Sequence, residues 1–167
     1  MNRIVSNATP LIYLAKIKKF NLLKFLYDNI IISQEVKNEI VDEGKKIKEP
    51  DALFIEREID SGFIIVKKAG SLIKTTLDLE AGELSTLTLA KELKIEEVLI
   101  DETLGRTAAK IMGLLPKGTL YVILKNLKLK EITFDDFLNI LNELLQSGFR
   151  LKEDIYLKVL EEAKKMS

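Results

Sequence analysis

Four acidic side chains stand where a sheet protein places its chemistry. Asp101 and Glu102 follow the β-branched run Val98-Leu99-Ile100, and Glu39 lies about two turns into the helix expected after Ile30-Ile31-Ile32. Glu83 falls in the first turn of a helix expected to begin near Glu80, and Asn7 follows the first strand-like run, from Arg3 to Ser6. Open parallel sheets bind ligands beyond the C-terminal ends of their strands, so these positions are able to converge. Carboxylate and amide oxygens are hard donors, suited to a hard divalent cation. Each position also has a plainer role. Glu39 reads equally as a solvated helix acid, Glu83 as a complement to the helix dipole, and Asp101 as the N-cap of the next helix, with Thr103 as the alternative cap. Asn7, Ser6, Thr9 and Pro10 alone would make a polar turn capping the first helix.

Composition narrows the alternatives. With no Cys there is neither a disulfide nor a thiolate zinc site, and with no His the commonest general base is absent. Catalysis would fall to carboxylates, hydroxyls, Lys, Arg or a metal. The formal net charge is zero, so any attraction to nucleic acid must be local. Arg is scarce (Arg3, Arg57, Arg106 and Arg150), and Arg106, one turn after Asp101, is a candidate phosphate contact or an i,i+4 ion-pair partner of Glu102. Gly118-Thr119 opens a helix whose N–H groups can face a phosphate, the alternative being a cap supplied by Thr119. Lys45, Lys46 and Lys48 form a basic loop that reads as a solvated turn.

The elements that would position these residues alternate in type. Strands are expected at 3–6, 30–32, 63–66 and 98–100, and 114–115 reads as a short extended piece. Thr9 is the expected cap of a first helix with Pro10 at its first position. Ser33 is the expected cap of a helix to about Asp42, after a helix at 20–27. Further helices are expected at 51–59, 80–93, 103–112, 118–127, 134–146 and 153–165, with 67–79 left ambiguous. Strands separated by helices imply right-handed β-α-β units and a parallel sheet covered on both faces. At 167 residues one domain is expected, with 133–167 able to form a small appendage. The strand-like start leaves no room for a signal peptide, and no apolar run approaches the roughly 18 residues that span a bilayer. A cytoplasmic protein is therefore expected.

Read together, these segments resemble a known family. The run Val5-Ser6-Asn7-Ala8-Thr9-Pro10-Leu11-Ile12-Tyr13-Leu14-Ala15-Lys16 is similar to the opening of PIN-like proteins. Ile30-Ile31-Ile32 with Val36 and Glu39-Ile40, and Gly82-Glu83-Leu84-Ser85 with Leu89-Ala90, resemble the segments that follow. So do Leu99-Ile100-Asp101-Glu102 with Arg106, Pro116-Lys117-Gly118-Thr119-Leu120, and Gly148-Phe149-Arg150-Leu151. The resemblance implies a PIN-like three-layer α/β/α fold with a central parallel sheet and extra C-terminal helices, related to VapC-type toxin ribonucleases. It implies Mg²⁺ or Mn²⁺ held by Glu39, Glu83 and Asp101 as catalytic acids, with Asn7 and Glu102 as further ligands. Substrate contacts would come from Arg106, Thr119, Ser6 and Thr9. RNA is the implied substrate, an antitoxin protein and a second copy of the chain the implied partners. Asn7 stands where active PIN nucleases usually carry Asp, and its neutral amide removes one negative charge from the set.

Two other functions compete. A catalytically weak or inactive PIN-like module that binds a protein or RNA is favoured by Asn7. A receiver-like phosphoacceptor domain would need an acidic pair at the first strand and an Asp after a central strand. Here Asn7 and Lys67-Lys68 occupy those places. The apolar faces at Leu138, Ile140, Leu141, Leu144 and Leu145 fit either self-association or burial against the chain's own sheet.

Overall fold

Ile30, Ile31 and Ile32 project alternately to two faces, and all three are buried because both faces are covered. Ile30 and Ile32 join one apolar cluster with Ile4 and Leu99, while Ile31 joins a second with Val5, Val98 and Ile100. This alternation defines the middle layer in a computed structural model that describes residues 1–42, 44 and 50–167. The strands are β1 (Arg3–Ser6), β2 (Asn29–Ser33), β3 (Ile64–Lys67), β4 (Glu97–Leu99) and β5 (Leu115–Lys117). All neighbours pair in parallel, in the order β3-β2-β1-β4-β5.

That order reverses direction between β1 and β4. The chain winds outward from β1 through β2 to β3, then returns to lay β4 on the other side of β1. A crevice opens beyond the strand ends at such a switch point. Asn7 follows β1, and Asp101 and Glu102 lie two and three residues beyond the end of β4. The topology alone thus brings these residues to one place.

The helices are α1 (Ala8–Lys16), α2 (Asn21–Leu26), α3 (Gln34–Lys37), α4 (Pro50–Asp60), α5 (Ala81–Leu93), α6 (Thr103–Ile111), α7 (Thr119–Lys128), α8 (Phe134–Gln146) and α9 (Glu153–Met166). A π-helical turn, Asn38–Asp42, continues α3. Helices α5 and α6 pack on the Val5 and Ile31 face through Leu87, Leu89, Ala90, Ala108 and Ala109. The opposite face is covered by α1, α2, α4 and α7, with Phe137, Ile140, Leu141 and Leu144 of α8 and Val159 and Ala163 of α9 in the same cluster. The α8 face thus goes largely into the chain's own core, leaving Leu138 partly exposed. The result is a three-layer α/β/α fold.

Three expectations change. Helix α1 starts at Ala8, two residues earlier than Pro10 implied, because Asn7 takes the extended N-cap position. Residues 68–80 form no helix, and the extended piece after Gly113 is a paired edge strand, β5. The Lys45, Lys46 and Lys48 loop lies outside the described residues. Among the described residues no helix is long and apolar enough to cross a membrane.

Candidate metal centre

The site is assembled from four chain segments, each fixed by local bonds. Asn7 N–H donates to the Leu99 carbonyl at 2.8 Å, stitching the end of β1 to β4. Its side-chain Nδ2 donates to Glu102 Oε2 at 3.2 Å, and Thr9 Oγ1, on the first turn of α1, donates to Glu102 Oε1 at 2.5 Å. Glu102 thus anchors Asn7 instead of pairing with Arg106. With Nδ2 committed, Asn7 Oδ1 is left buried with no hydrogen-bond partner.

Ser33 caps α3 as its sequence position predicts, accepting from Val36 N–H at 3.1 Å. Its hydroxyl also lies 2.7 Å from Ser85 Oγ, which ties the start of α3 to the second turn of α5. The π-helical turn then carries Glu39, an exposed residue, toward α5. A Cβ on Gly82 would lie 3.0 Å from Glu39 Oε2 and 3.2 Å from Asn7 Oδ1. Glycine there leaves the space into which both oxygens point.

Glu83 performs two roles at once. Its Oε1 accepts from Glu80 N–H at 3.3 Å, the cap expected of an acid in a first turn. Its Oε2 is buried without a partner. A Cβ on Gly105 would meet that oxygen at 2.5 Å, so a second glycine makes room for the carboxylate. Burial is the main cause that raises the Glu83 pKa, opposed by the Glu80 bond and reinforced by the neighbouring Glu102 and Glu80 charges.

Asp101 is held differently. Thr119 donates its N–H to Oδ1 at 2.8 Å and its hydroxyl to Oδ2 at 2.7 Å, so Asp101 caps α7 from across the crevice. Arg106 Nη1 donates to the Ile100 carbonyl at 3.1 Å, and a Cβ on Gly118 would lie 2.8 Å from Asp101 Oδ1 and 3.2 Å from Nη1. Burial raises the Asp101 pKa, the two Thr119 bonds oppose this, Glu102 raises it further, and Arg106 lowers it.

Two expected substrate contacts change in consequence. Thr119 is fully buried with its N–H and hydroxyl both on Asp101, so neither is open to a phosphate. Ser6 is fully buried and donates to the Asn7 carbonyl at 2.9 Å. Both hydroxyls build the site from behind. Sequence reasoning passed over Gly82 and Gly105 as space-makers. A glycine inside a helical pattern, which costs stability against Ala, was the available signal.

Among the described residues no three carboxylates stand close enough to hold an ion unaided. The Asn7 amide oxygen lies beside them, facing the same Gly82 position as Glu39. The donor set is all oxygen, two of its members are buried and unpartnered, and Gly82 keeps their side of the crevice open. Those three properties fit a hard divalent cation.

Comparison with known proteins agrees with this architecture. The family model DUF3368, a PIN domain, matches residues 3–165. No curated protein and no solved structure matches the chain. The matched span includes all five strands and every residue of the crevice, and the chain belongs to the PIN domain family.

Proposed function

We propose that this chain is a divalent-metal-dependent ribonuclease whose metal is held by Asn7, Glu39 and Glu83, with Asp101 and Glu102 completing the acidic crevice. The observation that carries this reading is the pair of buried, unpartnered oxygens, Asn7 Oδ1 and Glu83 Oε2. Leaving a buried polar atom unpaired costs about 1–3 kcal/mol, and coordination to a cation removes that cost. Bound Mg²⁺ or Mn²⁺ would supply Lewis-acid activation of water and charge neutralisation at a phosphate. The chain's own residues contribute position. Glu102 holds the Asn7 amide by its NH₂ group, which keeps the carbonyl oxygen turned away, and Thr9 holds Glu102 in turn. Thr119 fixes Asp101 at the crevice wall, and its two bonds, with Arg106, oppose the burial that raises the carboxyl's pKa. An antitoxin protein and a second copy of the chain are the partners this reading expects.

Calorimetric titration with Mn²⁺ tests the site, and RNA cleavage tests the activity. Glu83→Gln keeps the shape and the Glu80 contact while removing the charge, and it should abolish Mn²⁺ binding and lower cleavage at least about 100-fold. Cleavage by the native chain that survives Glu83→Gln unchanged would sink the assignment.

A second reading rests on the tight pairing of Asp101. Both its oxygens are satisfied by Thr119, as in a structural cap, which favours a PIN-like module that binds RNA or protein without turnover. Mn²⁺ binding without RNA cleavage at high enzyme concentration would select it.

A further inference from the structure

Arginine is scarce in this chain, yet two of its four arginines line one cleft. The cleft has a volume of about 520 Å³ and lies between the β5–α7 turn and the segment joining α8 to α9. Its lining brings Asp101 and Arg106 together with Tyr121, Phe149, Arg150 and Lys152. Arg150 and Lys152 are exposed, and neither side chain has an ion-pair or hydrogen-bond partner among the described residues. A second acid, Asp154, also lines the cleft without bonding either cation.

The segment carrying these cations is fastened in place. Tyr13 Oη on α1 donates to the Gly148 carbonyl at 3.3 Å, and the Tyr13 and Phe149 rings meet edge-on at 5.2 Å. Gly148, just after α8, takes a left-handed backbone, φ 101°, that glycine accommodates without strain. The cations are thus presented by an anchored strap beside Asp101.

We propose that this cleft binds a nucleotide of single-stranded RNA flanking the phosphate at the metal centre, with Arg150 and Lys152 on its phosphate and Tyr121 and Phe149 walling its base. This rests on the ribonuclease reading above for the neighbouring site. Three features support it. The volume lies within the roughly 300–1,000 Å³ of small-ligand sites. Aromatic walls with cations at the rim are the recurring means of holding single strands. A chain of zero net charge gains no attraction from its overall field, so unpaired cations must do the work locally. Arg also suits phosphate better than the abundant Lys, because its planar fork is bidentate.

The test uses the full chain with Arg150→Ala and Lys152→Ala combined, both exposed positions. Lys158→Ala with Lys164→Ala on α9 serves as a charge-matched control. Binding of a short fluorescein-labelled single-stranded RNA is followed by anisotropy in EDTA, where no cleavage intervenes, over a range of salt. The double variant should bind about tenfold more weakly, and its log Kd against log salt should be shallower by about 0.7, the share of one single-strand phosphate. Arg150→Lys alone, which keeps the charge but loses the planar fork, should fall between the native chain and the double variant, and the α9 control should match the native chain. In cleavage assays with Mn²⁺, KM should rise while kcat holds. Unchanged affinity and slope in the double variant would overturn the cleft, as would a native chain that binds no RNA. If the double variant loses affinity but the native chain never cleaves RNA, the ribonuclease reading fails and the cleft stands. If the native chain cleaves and the double variant keeps its KM, the reverse holds.

Discussion

The two sides of the crevice solve the problem of burying acids in opposite ways. On the Gly118 side, every oxygen of Asp101 has a donor, and the carboxylate doubles as the cap of α7. On the Gly82 side, Asn7 and Glu83 each spend one polar atom on a neighbour and leave the other buried and bare. Native interiors rarely leave such groups unpaired, because each costs about 1–3 kcal/mol. The Gly118 side is therefore satisfied as folded, whereas the Gly82 side keeps two buried oxygens unpaired. Under the proposed reading this asymmetry favours a metal toward the Gly82 side, since both oxygens of Asp101 already have donors.

The sharpest way to break the comparison is Asn7→Asp. Asn7 Nδ2 now donates to Glu102 Oε2 at 3.2 Å, and an aspartate would set two carboxylates against each other there. Without metal the variant should lose roughly 3 kcal/mol of stability, as an uncompensated buried charge does. With Mn²⁺ the added charge joins the ligand set, so the loss should be recovered and affinity should exceed that of the native chain. Chemical denaturation in EDTA and in Mn²⁺ measures both arms. An Asn7→Asp chain as unstable in Mn²⁺ as in EDTA would show that Asn7 does not face a cation.

Thr119→Val probes the satisfied side. It removes the hydroxyl that donates to Asp101 Oδ2 at 2.7 Å while keeping the side-chain shape. A loss of about 1–3 kcal/mol is expected in denaturant melts, with Mn²⁺ affinity by calorimetry little changed. A large fall in Mn²⁺ affinity would mean that the two sides work as one centre.

Gly82→Ala tests the open space itself. Alanine at a helical position gains about 0.5–1 kcal/mol over glycine, offsetting strain from a Cβ 3.0 Å from Glu39 Oε2 and 3.2 Å from Asn7 Oδ1. Stability should therefore stay near native while Mn²⁺ binds about tenfold more weakly, a difference of about 1.4 kcal/mol. Native-like Mn²⁺ affinity in this variant would remove Gly82 from the site.

Particular residues show why part of this was legible in the sequence. The isoleucine triplet and the runs at Arg3 and Val98 read as strands because both sheet faces are buried, and Ser33 read as a cap because its hydroxyl reaches only a few residues. Glu83 read as a first-turn acid for the same local reason. Partner choice across the crevice was not legible. Asp101 meets Thr119 eighteen residues on, and Asn7 meets Glu102 ninety-five residues on, because strand order places them together. The start of α1 was misplaced at Pro10 because Thr9 offers a cap hydroxyl locally, yet that hydroxyl goes to Glu102. A local rule fails where a distant carboxylate competes for the same donor.

The smallest expected effect separates the sides by pH. Burial, with Glu102 and Glu80 beside it, raises the Glu83 pKa above its ordinary value, so the folded chain holds that proton more tightly than the unfolded one. The stability this contributes is present below the ordinary carboxylate range and is lost as pH rises through the folded pKa. Glu83→Gln stays neutral throughout. In EDTA, melting temperatures taken from about pH 4 to 7 should show the native chain falling relative to Glu83→Gln as pH rises. In Mn²⁺ the decline should vanish, because the cation favours the charged carboxylate. A native chain that gains on Glu83→Gln with rising pH in EDTA would mean that the buried oxygen is not short of a partner, and the contrast between the two sides would collapse.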